Sequence, residues 1–292
     1  MAVYDRRYGP FEGEVTPRNT RFLVLPAYSY KEIFASKAFI VFLALWGVWS
    51  LLVLPILIYL PHNLGALESI GVDPASLEGI FTVTAEKAFG FFMFPALIVA
   101  YLTALVLGPA LVSSDLRNNG LPLYLSRPFG RWEYVLGKSA VMLIMLSLVT
   151  WVPGMLLFLF QSYMGGWDWI KQYWTVGFGV FMTSLIWIVL LCVISLAISA
   201  YVKWKPVARL SLILVFIVLP RIGDVINLIL RTDWGSITDM VRMMSVVATT
   251  LFGFPNNSAI PVPAAWMSIL TFSAVCVFLM AKKVRAYEVV KS

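Results

Sequence analysis

An all-α membrane protein with six transmembrane helices is what this chain should form, and three features say so. Of its 292 residues 60% are hydrophobic and 13% charged, whereas soluble domains run at about 45–50% and about 25%. The apolar residues gather into runs of about 20, the length a helix rising ~1.5 Å per residue needs to cross a ~30 Å hydrocarbon core. The basic residues sort to one side of those runs, as Lys and Arg do on cytoplasmic loops. A barrel is excluded, because its strands would alternate apolar and polar over about ten residues, and Ala38–Leu60 is apolar all round.

In chain order, the segment to about Arg21 is polar and carries Gly9, Pro10, Gly13 and Pro17, so it should be extended. Phe22–Lys37 mixes aromatic and aliphatic residues with Lys31, Glu32 and Lys37. That mixture favours an amphipathic helix in the inner headgroup layer over an ordinary cytoplasmic extension of the first span. The spans follow as Ala38–Leu60, Phe89–Val112, Val135–Phe160, Trp174–Tyr201, Val207 to about Leu230, and Pro263–Ala281. The fifth is hardest to place, since its clean apolar stretch ends at Pro220 and Arg221 and Asp224 must reach the outer interface or face a polar cavity. Charge decides it. With six spans and both termini inside, only Lys87, Lys171, Arg221, Arg231 and Arg242 of the 22 basic residues fall outside. Five spans would strand Lys282, Lys283 and Arg285 there.

Residues 1–37 are therefore expected as a cytoplasmic tail with its interfacial helix, 38–281 as the six-helix transmembrane domain, and 282–292 as a cytoplasmic tail. No cleavable signal peptide is expected, because the first apolar run follows 37 mostly polar residues and is too long for an h-region. The long outer connections are Pro61–Ala88 and Thr232–Val262; in the second, Met240–Phe252 is too short to cross and suits a helix that re-enters or rests on the outer leaflet. Trp167, Trp169, Tyr173 and Trp174 cluster where the third and fourth spans reach the outer surface, as an interfacial aromatic belt does.

Chemistry is scarce. Membrane enzymes and ion-coupled pumps work with ionisable groups at depth, and this chain offers few. Its single histidine, His62, has no cysteine near it with which to hold zinc. Cys192 and Cys276 lie inside apolar spans and read as small core residues. An enzyme, a metal and a bound cofactor are not expected; a lipid-modifying enzyme would need a cluster of Asp, Glu or His at an interface. The net charge of +7 sits in short juxtamembrane clusters, where orientation and anionic lipid account for it, so nucleic acid is not an expected partner. Gly137-Lys138-Ser139 ends like a phosphate-binding loop, but Trp132 stands where that motif needs glycine. ATP is therefore not expected on this chain. Arg221 and Asp224, one turn apart, suit a satisfied pair or a polar spot on a translocation path, and Phe94 and Tyr101 of the second span are the other candidates for that path. The aromatic and methionine residues of the second span would suit an amphipathic or lipidic cargo, but in membrane helices such residues more often serve packing.

The connection Asp115 to Lys138 carries most of the functional information. Asp115 can cap a new turn and Gly120 break it. Pro122 suits the first position of a short helix, and Pro128 disfavours helix at Arg127. Leu121, Tyr124, Leu125 and Pro128 then share one face, with Leu123 and Arg127 on another. An exposed apolar and basic helix inside the cell fits a groove on another protein. The same helix could also lie on headgroups, its leucines in lipid and its arginines on phosphate.

These residues resemble a known pattern. Asp115, Gly120-Leu121, Leu125-Ser126-Arg127-Pro128, Arg131, Tyr134 and Gly137-Lys138, with Tyr30-Lys31-Glu32 before the first span, look like the permease subunits of ABC-2 type ATP-binding-cassette transporters. The resemblance implies a cytoplasmic coupling helix between spans two and three that sits in a cleft of a separate ATPase subunit, which binds the ATP. Leu121 to Pro128, including Leu123, Tyr124, Leu125 and Arg127, would be the ATPase contact, flanked by Arg117 and Arg131. It further implies a second permease copy, identical or related, surrounding membrane lipid, and the bacterial cytoplasmic membrane as the location. The function implied is coupling of ATP hydrolysis to substrate movement, with export the expected direction. The alternative within the family, a mechanical or regulatory subunit that transports nothing, usually carries a large outer domain; outer loops of about 30 residues fall short of the ~50 at which domains begin.

Overall fold

The computed structural model describes residues 24–62, 85–117, 131–256 and 258–289, and every regular element among them is helical. The helices are α1 (Val24–Phe34), α2 (Lys37–Val48), α3 (Leu54–His62), α4 (Ala85–Arg117), α5 (Arg131–Val149), α6 (Trp151–Tyr201), α7 (Lys205–Leu230), α8 (Met240–Phe252) and α9 (Val262–Val289). Ser36 caps α2, its hydroxyl accepting from Phe39 N, and a π-helical turn, Trp49–Val53, joins α2 to α3.

Five stretches are long and apolar enough to cross a membrane: Lys37–Tyr59, Phe89–Pro109, Tyr134–Tyr201, Lys205–Leu230 and Val262–Lys283. The third spans 68 residues, ~100 Å if it were straight. It is not straight. The backbone breaks at Thr150 (φ −110, ψ −91) and again at Gly166 (φ 74, ψ −173) and Tyr173 (φ −117, ψ 21). Gly166 occupies a region open essentially to glycine alone, because any Cβ would clash there. Beyond this bend α6 folds back on itself. Trp151 meets Phe181 edge-on at 5.4 Å, Gly154 lies against Val180, and Gly177 lies against Phe158, a descending sequence that only an antiparallel hairpin produces. Trp167 and Trp174 are exposed at the bend, where the aromatic belt is expected.

The returning arm of α6 is the centre of the molecule, with Val180, Trp187, Leu191, Ser195 and Ser199 all buried. Against it α4 presents Ala96, Ala100, Ala104 and Gly108, a small residue at every fourth position and each buried. The approach is so close that a Cβ on Gly108 would stand 2.5 Å from that of Ser195. Small residues are what such a contact needs, because in lipid two apolar helices gain nothing from leaving water and associate by van der Waals fit instead. Trp187 adds a directional tie, its Nε1 donating to Leu97 O at 3.0 Å.

Hydrogen bonds set the relative directions. Ser113 Oγ donates to Val202 O at 2.5 Å, and Tyr201 OH donates to Leu279 O at 3.0 Å. The C-terminal ends of α4, α6 and α9 thus meet at one end of the bundle, beside the start of α7. Exposed Arg117, Lys203, Arg209 and Lys282 gather there, the one-sided basic distribution read from the sequence. At the opposite end α8 is held by Asp239, whose carboxylate accepts from Val241 N and Arg242 N, and closes on Gly253 at φ 75. Such caps satisfy backbone groups that a short helix leaves unpaired.

Helix α7 runs through Pro220 to Leu230, the extent expected of the fifth span. Local expectations shift in three places. Helix α1 ends at Phe34, short of Lys37, and packs on α5, with Tyr30 OH donating to Val141 O at 3.3 Å. The third span divides at Thr150 instead of running unbroken from Val135 to Phe160. Asp115 falls inside α4, which runs to Arg117, and does not open a new turn.

Candidate functional site

The connection between α4 and α5 is the segment on which the functional reading turns, and its two anchors are described. On the α4 side Leu107, Leu111 and Ser113 are buried, and Ser113 holds the helix to the end of α6 through Val202 O and, more weakly, Ser199 O at 3.4 Å. On the α5 side Tyr134 is buried and Lys138 nearly so, its ammonium 5.8 Å from the centre of the Tyr134 ring. That contact falls within cation–π range and lets a charge sit where water is scarce. Gly137-Lys138-Ser139 lies wholly within α5, and Ser139 Oγ donates back to Val135 O at 2.7 Å. Its backbone amides serve the helix and cannot cradle a phosphate.

Arg117 ends α4 and is exposed, and Arg131 begins α5. Leu121, Leu123, Tyr124, Leu125, Arg127 and Pro128 lie outside the described residues. Around the anchors the same end of the bundle is cross-tied: Lys283 Nζ lies over the Tyr201 ring at 5.4 Å, and Tyr30 clamps α1 to α5. Burial pushes the Tyr30 phenol up to about 12, because the phenolate would lose water that the neutral hydroxyl can spare.

The four residues assigned to a path are not brought together. Phe94 is exposed on α4, whereas Tyr101, further along the same helix, packs edge-on against Phe216 of α7 at 4.8 Å. Arg221 and Asp224 pair at 3.2 Å on an exposed face of α7. Helical spacing puts Arg221 about 140° and Asp224 about 80° round the helix from Phe216.

Sequence reading passed over a polar knot at the end of the bundle opposite Arg117 and Lys203. Asn227 Oδ1 accepts from Gly235 N at 2.7 Å and its amide donates to Ser236 Oγ, which also accepts from Arg242 at 2.8 Å. Thr238 Oγ1 reaches Leu219 O, and Ser268 Oγ reaches Ile237 O. The knot ties α7, α8 and α9 through the 3-10 turn Trp234–Thr238. Beside it an open cleft of about 290 Å³ is lined by Arg242, Ser245, Thr249, Asn256 and Ser258 among others. A second groove, about 240 Å³ and apolar, runs between α2 and the α5–α6 break, lined by Trp46, Gly47, Ser50, Val149 and Pro153 among others. Among the described residues no group of three His, Cys, Asp or Glu is placed to hold a metal. No protein-family model matches the chain, and no curated protein matches it.

Proposed function

We propose that this chain is the permease subunit of an ABC-2 type ATP-binding-cassette transporter, moving its helices in response to ATP hydrolysis on a separate subunit. Six crossings follow if the folded-back stretch Tyr134–Tyr201 counts as two, and both ends of the chain then lie in the cytoplasm of a bacterial cell. The observation that carries the reading is the seating of the two anchors beside residues 118–130. Ser113 locks the end of α4 to the end of α6, and Tyr134 locks the start of α5 into the same core. A force on the connection would therefore reach the α4–α6 seam within one turn of helix. The mechanism is a lever: the ATPase cleft grips Leu121 to Pro128, closes, and tilts α4 and α5 together. No covalent step occurs on this chain, and ATP stays with the partner.

The test is co-purification. Replacing Leu121, Tyr124 and Leu125 together with Asp should release the partner ATPase in a detergent pull-down and leave the permease folded. Undisturbed co-purification removes the dock from this connection. A thiol introduced at Ser126 should resist impermeant label added to intact cells, and the two native cysteines are buried and give little background. Labelling from outside would reverse the topology and end the transporter reading.

A further inference from the structure

The open cleft beside α8 gathers hydrogen-bond donors and one positive charge. Arg242, Ser245 and Thr249 share a stripe of α8 at three- and four-residue spacing, and Asn256 and Ser258 face them from the turn that follows. The hydroxyls of Ser245 and Thr249 donate to Arg242 O and Val246 O, within α8 itself. Asn256 Oδ1 accepts from Ser258 N at 3.0 Å, and Ser258 Oγ accepts from Ile260 N at 3.2 Å. Among the described residues this leaves the Asn256 amide nitrogen and the Ser258 O–H without an acceptor. Both are donors.

Arg242 adds the charge. Its guanidinium gives one hydrogen bond, from Nη1 to Ser236 Oγ at 2.8 Å, and that partner is neutral. Asp239, one turn back, is occupied with the backbone N–H groups of Val241 and Arg242. Among the described residues no carboxylate lines the cleft or pairs with Arg242. Arg221 at the same end has Asp224; Arg242 has no such counter-charge. Because Asp239 already takes the first amides of α8, the anion-seeking groups here are side chains and not a helix terminus.

The cleft also lies where a membrane ends. Helix α8 follows the crossing stretch that finishes at Leu230 and precedes the one that begins at Val262. Ser236, the partner of Arg242, is two residues from exposed Trp234, and Gly253, which closes α8, lies against Thr175, the neighbour of exposed Trp174. Exposed tryptophans mark headgroup level. A cation there without a counter-ion is costly, because the neighbouring hydrocarbon cannot solvate it.

We propose that this cleft holds the phosphate of a membrane phospholipid headgroup, with Arg242 supplying the charge and Asn256 and Ser258 the further hydrogen bonds. One guanidinium balances the single negative charge of a phosphodiester, and its fork of N–H groups matches two phosphate oxygens. Basic pockets between membrane helices bind headgroups by this chemistry. The inference needs only that the chain crosses a membrane, so it goes beyond the permease reading and does not depend on it.

The experiment is native mass spectrometry of the full chain, delipidated in detergent and then given phosphatidylglycerol. The wild-type chain should keep one phosphatidylglycerol after collisions have stripped the rest, and should not keep a diacylglycerol with the same acyl chains. Arg242→Gln and Asn256→Leu should each lower the retained fraction at least about tenfold, Arg242→Lys should stay within about threefold of wild type, and Arg231→Gln, an exposed arginine outside the cleft, should change nothing. Arg242→Gln also removes the bond to Ser236; Asn256→Leu disturbs only a turn, so the test does not hang on one variant's folding. Three results overturn the site: equal retention in Arg242→Gln and Asn256→Leu, diacylglycerol held as firmly as phosphatidylglycerol, or inorganic phosphate bound more tightly than the lipid, which would give the cleft to a soluble ion. None of them bears on co-purification of an ATPase, so the two proposals fail separately.

Discussion

The returning arm of α6 and the whole of α7 are similarly apolar, yet one is the hub of the molecule and the other its edge. Between Val176 and Ala200 most of α6 is buried, whereas of α7's 26 residues only Ala208, Leu212 and Gly223 are. Hydrophobicity does not separate them. What does is side-chain size and the placing of hydroxyls: α6 carries Gly177, Gly179, Ser184, Ser195 and Ser199 toward its neighbours, and α7 carries branched aliphatics outward. In water the more apolar helix would sink to the centre. In a bilayer the centre goes to the helix whose surface other helices can approach most closely.

The comparison is broken most directly at the α4–α6 seam. Gly108→Leu forces a side chain into Ser195 and should cost about 3 kcal/mol, the upper part of the overpacking range, measured as a fall in the midpoint of unfolding in detergent. By contrast Ile222→Leu, a volume-conserving change on the exposed face of α7, should move that midpoint by less than about 0.5 kcal/mol. A second test probes the one tight point on α7. A Cβ on Gly223 would strike Gly235 O, so Gly223→Ala should cost about 2 kcal/mol and speed proteolysis near the 3-10 turn. Third, Trp187→Phe keeps the ring contacts with Phe216 and loses the bond to Leu97 O, for about 1 kcal/mol in the same unfolding measurement.

The smallest effect concerns α1. Tyr30 is raised from 10.0 to about 12 by burial, so between those values the unfolded chain releases a proton that the folded chain keeps, and stability falls as pH rises through that window. Below pH 10 the contribution is fully present. Tyr30→Phe should flatten this part of the stability profile and lower stability at neutral pH by about 0.5 kcal/mol, through loss of the long bond to Val141 O.

Much of this was legible in the chain. That several helices are long and apolar enough to cross could be read because hydrocarbon imposes length and apolarity on each segment separately, and the basic residues at Lys203, Arg209 and Lys282 gather at one end. The Arg221–Asp224 pair was legible from its spacing alone. The break at Thr150 went unread although Pro153 signals it, since a proline there cannot donate to Val149 O, which instead accepts from Trp46 Nε1. The four-residue spacing of Ala96, Ala100, Ala104 and Gly108 was present in the sequence as a signal and went unread among so many other small residues. The knot around Asn227 could not have been foreseen, because it joins residues from three helices whose polar atoms match only once those helices are side by side.

Composition and charge were therefore enough for an all-helical chain with several segments able to cross a membrane and for the sorting of basic residues, because the bilayer acts on each segment alone. Pairing was decided in three dimensions. Lipid tails and neighbouring helices are equally apolar, so nothing in a helix's hydrophobicity says which of the two it will face; that choice depends on how closely Gly108 can approach Ser195 and on where Trp187 finds its acceptor in Leu97 O.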